Sequence, residues 1–230
     1  MTDLRAVGET APDTSLQSAR ACEAMSVGVF VFEGVEELDF VGPWEMLTMW
    51  RSYAKGPNRI ETFALDAGHL KCAKGLTIVP DSALPSHSYD IVVVPGGFAA
   101  IDFADDPKRM KSLSPILENA EHCLSVCTGA YILAAAGLLK GRSAATHWKT
   151  GPDLSSRGVD VQSRRYVHAP PVWTSAGVSA GMDMILAFIA SIGGEAAAAS
   201  VQYNSEYYPE DVRYGRSWGA PAPDYAEIRL

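Results

Sequence analysis

The chain has 230 residues, 47% of them hydrophobic, and carries a formal net charge of −8. This length fits one large domain or two small ones. The lack of a lysine- or arginine-rich cluster argues against a nucleic-acid partner, and no apolar run approaches the ~20 residues of a membrane span. The first 25 residues lack the apolar segment of a signal peptide, so we expect a cytoplasmic protein whose four cysteines are reduced.

Taken in chain order, the first half alternates between predicted strands and helices. Residues 1–24 are polar and without apolar periodicity, which predicts a flexible extension. The run from 27 to 32 is β-branched and aromatic, as in a buried parallel strand, and an acidic loop follows it. We then predict a helix from Pro43 to Tyr53 with the proline in its first turn, a strand at 60–65, a hairpin or edge strand at 70–80, a buried strand at 89–94 and a helix at 108–120.

The second half continues the same alternation. We predict a strand at 123–126, a helix directly after it, a strand at 143–148, two short extended stretches within 161–174, and helices at 178–192 and 195–203. This pattern indicates an α/β fold with a doubly wound, mostly parallel sheet and helices on both faces. We assign the domain to residues 25–204, and residues 205–230 to a tail that packs on the domain or on a partner subunit.

Cys127 lies at the predicted strand-to-helix turn, where a short apolar run ends and a helix-forming run begins. The first amides of a helix carry unsatisfied N–H donors and a partial positive charge. Such a setting lowers the pKa of a cysteine, and we therefore expect a thiolate nucleophile at neutral pH. The alternative is a buried structural cysteine, and Cys123, within the preceding apolar run, is predicted to be one.

Two backbone amides are candidates for stabilising charge near this thiol. Thr128 begins the helix, so its N–H can face a developing oxyanion; alternatively, its hydroxyl only caps the helix. Gly97 belongs to the Pro95–Gly97 turn that ends a buried strand, where glycine lets the backbone approach a ligand. A plain strand-to-loop turn would also explain that sequence.

Three charged or titratable residues are further candidates, Asp39 for a catalytic role and His147 and Glu45 for supporting roles. Asp39 follows a strand and precedes a helix, so it is either a helix cap or an acid and base for the thiol. His147 is expected at a strand end, and Glu45 in the first helix is its candidate partner; a structural histidine and a solvated glutamate are the alternatives. In an open α/β sheet, ligands bind at the carboxyl ends of the strands. Asp39, the 95–97 turn and Cys127 all follow strands at that edge.

Five stretches resemble the ThiJ/PfpI superfamily and, within it, the isonitrile hydratase-like branch. They are residues 34–45 (GVEELDFVGPWE), 94–97 (VPGG), 125–130 (SVCTGA), 146–148 (THW) and 174–181 (TSAGVSAG). The resemblance implies a flavodoxin-like sandwich related in architecture to the class I glutamine amidotransferases, a nucleophilic cysteine at position 127 and an acid at position 39. It also implies a homodimer built around the first helix, with Glu45 meeting His147 across the interface. The protease-like members carry a histidine directly after the cysteine, where this chain has Thr128.

The resulting hypothesis is a hydratase that needs neither metal nor organic cofactor and acts on a small-molecule isonitrile. Cys127 would add to the isonitrile carbon to give a thioimidate. Asp39 would protonate that carbon and then activate water, while Thr128 and Gly97 orient the substrate. The product would be an N-substituted formamide. Two alternatives stay open: another cysteine-dependent hydratase of small electrophiles, such as a glyoxalase-like enzyme, and a non-catalytic thiol sensor.

Overall fold

The computed structural model describes residues 21–209, whose centre is a seven-stranded sheet. Its strands are β1 (Ser26–Phe30), β2 (Arg59–Ala64), β5 (Ser82–Ala83), β6 (Ile91–Val94), β7 (His122–Val126), β10 (Tyr166–Ala169) and β11 (Val172–Ser175). They lie in the order β10-β11-β7-β6-β1-β2-β5, and every neighbouring pair is parallel except β10–β11. Two small sheets complete the strands: β3 (Leu70–Lys71) with β4 (Thr77–Ile78), antiparallel, and β8 (Ser143–Ala144) with β9 (Asp160–Val161), parallel.

The helices form two groups that cover the sheet. The first contains α1 (Glu37–Ala54), α6 (Ala180–Gly193) and α7 (Glu195–Ser205), which pack on one another. The second contains α2 (Ala99–Ala104), α3 (Pro107–Glu118) and α4 (Gly129–Ala135), and α5 (Gly151–Ser156) packs beside β9. The central strands β1, β6 and β7 are buried almost throughout, as continuous apolar runs between two helical layers require. The predicted doubly wound α/β fold is confirmed.

The first helix is longer than the sequence pattern predicted. It begins at Glu37, so Pro43 lies inside the helix and not in its first turn. Because proline has no N–H, it cannot donate to the carbonyl of Asp39 four residues earlier. The capping role considered for Asp39 is also wrong, since the cap position is Glu36 and Asp39 lies within the first turn.

Several smaller elements differ from the prediction. Helices α2 and α5 were not predicted, and the strand expected at 143–148 ends at Ala144, so that His147 lies in the loop that follows. The predicted extension 1–24 is helical at residues 21–24, where Cys22 is buried; residues 1–20 lie outside the described residues. Of the predicted tail, 205–209 is described, and Tyr207 donates a hydrogen bond of 3.0 Å to Asp183.

Candidate active site

The carboxyl ends of β1, β6 and β7 bring the predicted site residues to one edge of the sheet. These strands are parallel neighbours, with Val29 paired to Val93 and Val93 to Leu124. Their following segments carry Asp39, the Pro95–Gly97 turn and Cys127. The convergence of three loops is as the sequence analysis predicted.

Cys127 adopts a left-handed backbone conformation, with a φ of 58°, immediately after β7. A non-glycine residue in this region is strained and persists where its surroundings fix it. Its N–H donates to the carbonyls of Ser175 and Ala176 at 3.1 and 3.2 Å, and its carbonyl accepts from the Thr146 hydroxyl at 2.9 Å. These bonds hold the elbow that presents the thiol.

Asp39 is fully buried beside this elbow. Its Oδ2 accepts the N–H of Gly96 at 3.0 Å, while its Oδ1 has no hydrogen-bond partner within residues 21–209. The pKa of Asp39 is raised to about 7, mainly because the carboxyl is buried, and the negative charge of Glu36 acts in the same direction. The Gly96 N–H and the contact with the Cys127 thiol lower this pKa, but they do not offset burial. This carboxyl can therefore both accept and release a proton near neutral pH.

The ionisation of Cys127 differs from the sequence-based expectation. Burial raises the pKa of its thiol to about 12, and the negative charge of Asp39 acts in the same direction. The amides of Thr128 and Val178 and the hydroxyl of Thr128 lower it, but they do not offset burial. The sulfur therefore keeps its proton at neutral pH, and the predicted resting thiolate is wrong; this thiol could act as a nucleophile only with the help of a base.

The predicted pair of oxyanion donors is only partly formed. The N–H of Gly97 donates to Thr128 Oγ1 at 2.9 Å, and that hydroxyl donates to the Gly97 carbonyl at 2.7 Å. The Gly97 amide is thus occupied, and the Thr128 hydroxyl does not cap α4. The second amide that faces the sulfur belongs to Val178, a residue that sequence reasoning missed although it lies in the matched stretch 174–181.

The turn at residues 95–97 fits this site because its last two residues, Gly96 and Gly97, have no side chains. A Cβ at Gly96 would lie 2.6 Å from the Thr128 nitrogen and 2.8 Å from Asp39 Oδ2. Gly97 has a φ of 115°, and a Cβ there would lie 2.6 Å from the carbonyl oxygen of Gly34. The glycines allow the backbone itself to hold the carboxyl group.

His147 and Glu45 are not brought together within one chain. His147 Nδ1 accepts the N–H of Lys149 at 3.2 Å, its ring stacks on Trp148, and burial lowers its pKa. Glu45 is exposed on α1, and no hydrogen bond joins its carboxylate to His147 in the described part of the chain. The predicted contact between them across a dimer interface stays a prediction.

A cleft of about 310 Å³ adjoins the elbow. Cys127 and Asp39 do not line it, but its wall includes Thr146 and Ala176, two of the three residues whose oxygens bind the Cys127 backbone. The remaining wall is part apolar and part polar, with Trp148, Pro152, Val161, Gln162 and Arg164 among its residues. This volume suits a small organic molecule.

The described residues offer no group of three or more His, Cys, Asp or Glu side chains placed to hold a metal ion. None of the helices within 21–209 combines the length and hydropathy needed to cross a membrane.

The comparisons with known sequences and known structures agree on one protein family. Residues 25–191 match the DJ-1/PfpI family model. An isonitrile hydratase of Pseudomonas putida is 29% identical over 188 residues, covering 81% of this chain and 80% of that protein. The glutathione-independent glyoxalase DJR-1.2 of Caenorhabditis elegans is 27% identical over 54% of this chain and 68% of its own length. The crystal structure of a ThiJ/PfpI family protein from Pseudomonas syringae superimposes with a TM-score of 0.76 at 27% identity, covering 90% of this chain and 84% of that one.

Proposed function

The chain belongs to the DJ-1/PfpI family, and we propose that it hydrates isonitriles to N-substituted formamides through a covalent intermediate on Cys127. The observation that carries this proposal is the buried pair of Cys127 and Asp39, in which the sulfur keeps its proton and the pKa of the carboxyl lies at about 7. A base of that pKa is suited to proton transfer at neutral pH. The similarity to an isonitrile hydratase supports the choice of substrate class.

The first half of the reaction consumes the thiol proton. The Asp39 carboxylate accepts it while the sulfur forms a bond to the terminal isonitrile carbon. The same proton then passes from Asp39 to that carbon, which gives a thioimidate with a carbon–nitrogen double bond. Asp39 lies in contact with the thiol and has one oxygen without a partner in the described chain, which leaves that oxygen available for the proton.

The second half consumes water. Asp39 accepts one proton from a water molecule as the water oxygen adds to the thioimidate carbon, and passes this proton to the nitrogen. Asp39 then takes the remaining proton of the new hydroxyl group and delivers it to the sulfur as the carbon–sulfur bond breaks, and the formamide leaves. The amides of Thr128 and Val178 stabilise negative charge on the sulfur while it attacks and while it leaves.

We assign the substituent of the isonitrile to the cleft beside the elbow. Trp148, Pro152 and Val161 form an apolar wall there, and this favours a hydrocarbon substituent. Trp148→Ala should therefore raise KM for cyclohexyl isocyanide more than for methyl isocyanide. An equal rise of KM for both substrates would show that the cleft does not bind the substituent.

The test of the function is formamide production from cyclohexyl isocyanide. Wild type should turn over, Cys127→Ala and Asp39→Asn should lose turnover, and Cys123→Ala should keep most of it. Cys123 is the matched control because it is a similarly buried thiol whose Sγ donates to the Leu117 carbonyl at 3.3 Å. A folded wild type that is inactive on isonitriles would overturn the proposal.

A glyoxalase-like activity is the second candidate, because a glyoxalase is among the relatives and the Cys127 thiol could also add to the carbonyl carbon of a small aldehyde. This candidate would be favoured if wild type turned over methylglyoxal but no isonitrile, and if Cys127→Ala lost the turnover of methylglyoxal. A thiol sensor receives less support, since a buried thiol with a raised pKa is a poor target for oxidants.

We further propose a homodimer around α1, as the resemblance implies. Leu38 and Val41 expose about two fifths of their surface on this helix. Light scattering should give the mass of two chains for wild type and a mass closer to that of one chain for Val41→Lys. A wild-type mass of one chain would refute this arrangement.

A further inference from the structure

Segment 176–179, between β11 and α6, carries the second amide that faces the thiol. Val178 in this segment has a φ of 48°, an unfavourable conformation for a β-branched residue. The Cys127 N–H donates to the Ala176 carbonyl at 3.2 Å, so the segment and the elbow are directly bonded. A strained conformation of this kind persists when surrounding contacts fix it.

Arg165, on the segment before β10, binds both ends of segment 176–179. Its carbonyl accepts the N–H of Ala176 at 2.8 Å, and its guanidinium donates to Ser179 Oγ at 2.9 Å. The two bonds lie on either side of Val178. No other described residue is recorded with a bond to each end of this segment.

Asp183 fixes the guanidinium in turn. It lies buried in the first turn of α6, where one of its oxygens accepts from Arg165 Nε and the other from the Tyr207 hydroxyl at 3.0 Å. The planar guanidinium can bind Ser179 and Asp183 at the same time, which the single ammonium of a lysine cannot do in the same geometry.

We propose that Arg165 is a positioning residue for the thiol chemistry: it holds the strained segment 176–179 so that the Val178 amide faces the sulfur of Cys127. The inference deepens the proposed function, because it rests on Cys127 as the nucleophile. Thiol reactivity is nevertheless measured without substrate, so it tests Arg165 even if isonitrile turnover is absent.

The experiment follows the alkylation of Cys127 by iodoacetamide from pH 7 to 10, with peptide mass spectrometry to identify the modified cysteine. The titratable groups around the thiol, segment 176–179 and Arg165 are Asp39, His147, Asp183, Tyr166 and Tyr207. None of them is changed in Arg165→Gln, Arg165→Lys or Ser179→Ala. The three variants thus report the position of the Val178 amide.

We expect Arg165→Gln and Arg165→Lys to alkylate about tenfold more slowly than wild type at pH 9, because a hydrogen bond to the thiolate is weakened. Ser179→Ala should show a smaller loss in the same direction. In steady-state assays, kcat should fall with KM nearly unchanged. The matched control is Arg157→Gln, which breaks ion pairs with Asp105 and Asp153 and a cation–π contact with Tyr131 but no bond to segment 176–179, and which should leave alkylation unchanged.

The outcomes separate positioning from simple structural support. If Arg165→Gln does not fold, Arg165→Lys and Ser179→Ala still test the proposal. Wild-type alkylation rates in both of those variants would overturn it. Slower alkylation in Arg157→Gln to the same extent would also overturn it, because the effect would then follow from general destabilisation.

Discussion

Replacement of Asp39 by asparagine should make the protein more stable at pH 8 while leaving its stability at pH 4 nearly unchanged. The reason is the buried carboxyl, whose pKa rises from 3.8 to about 7. Below pH 4 this group is protonated in both the folded and the unfolded states. Between pH 4 and 7 it ionises in the unfolded chain while the folded chain retains its proton, so the free energy of unfolding falls as pH rises. Asparagine does not ionise, and its amide oxygen can still accept the Gly96 N–H.

The expected size of the effect follows from the change in pKa. At about 1.4 kcal/mol per pKa unit, a rise of this size corresponds to about 4 kcal/mol. This is the upper limit of the extra stability of Asp39→Asn over wild type above pH 7. For a chain of this length, it corresponds to roughly 10 °C in Tm.

The assay is urea unfolding of both proteins at half-unit steps from pH 4 to 8.5, with the difference in unfolding free energy plotted against pH. The difference cancels the titration of all other groups that the variant leaves unchanged. It should rise through pH 4–7 and then level off, while formamide production by the variant is lost. A difference that stays constant across this range would refute the raised pKa, and with it the reason for assigning proton transfer to Asp39.

Three further predictions concern the elbow. The rate of iodoacetamide alkylation at Cys127 should keep rising from pH 7 to 10, because its thiol pKa is raised; a plateau near pH 7 would instead show a low-pKa cysteine. Thr128→Val removes both hydrogen bonds to Gly97 and should lower the unfolding free energy by about 1–3 kcal/mol and reduce kcat. The control Thr48→Val, at an exposed hydrogen bond of α1, should change neither quantity. Equal losses in the two variants would contradict the role given to the Thr128 hydroxyl. Gly177→Ala places a Cβ 2.4 Å from the ring of His147 and should displace that ring, which is measured as a shift of the His147 NMR signals. Unshifted His147 signals would contradict this and would show that segment 176–179 moves instead.

The parts of the fold that the sequence predicted well are those set by local patterns. Buried parallel strands appear as continuous apolar runs, and the run at 89–94 is an example. The start of α1 was misplaced because Pro43 is typical of a first helical turn, whereas here it lies inside the helix. Helix α2 has only six residues, too few for a clear apolar period.

The meeting of Asp39 and Cys127 was predicted, but their ionisation was not. The order of strands and loops indicates that Asp39 and Cys127 meet, since both follow strands at one edge. The pKa values depend instead on burial by the whole fold, and burial reverses the expected effect of the helix start at Cys127. The partner of the Gly97 amide is a hydroxyl 31 residues away, which no local pattern reveals.

The Asp39 carboxyl is bound by the main-chain N–H of Gly96, a position at which a Cβ has no room. The apolar wall of the cleft, in contrast, consists of side chains such as Trp148, Pro152 and Val161. If the proposed function holds, side chains of the cleft can be replaced to fit larger or smaller substituents while the backbone that binds the Asp39 carboxyl stays unchanged.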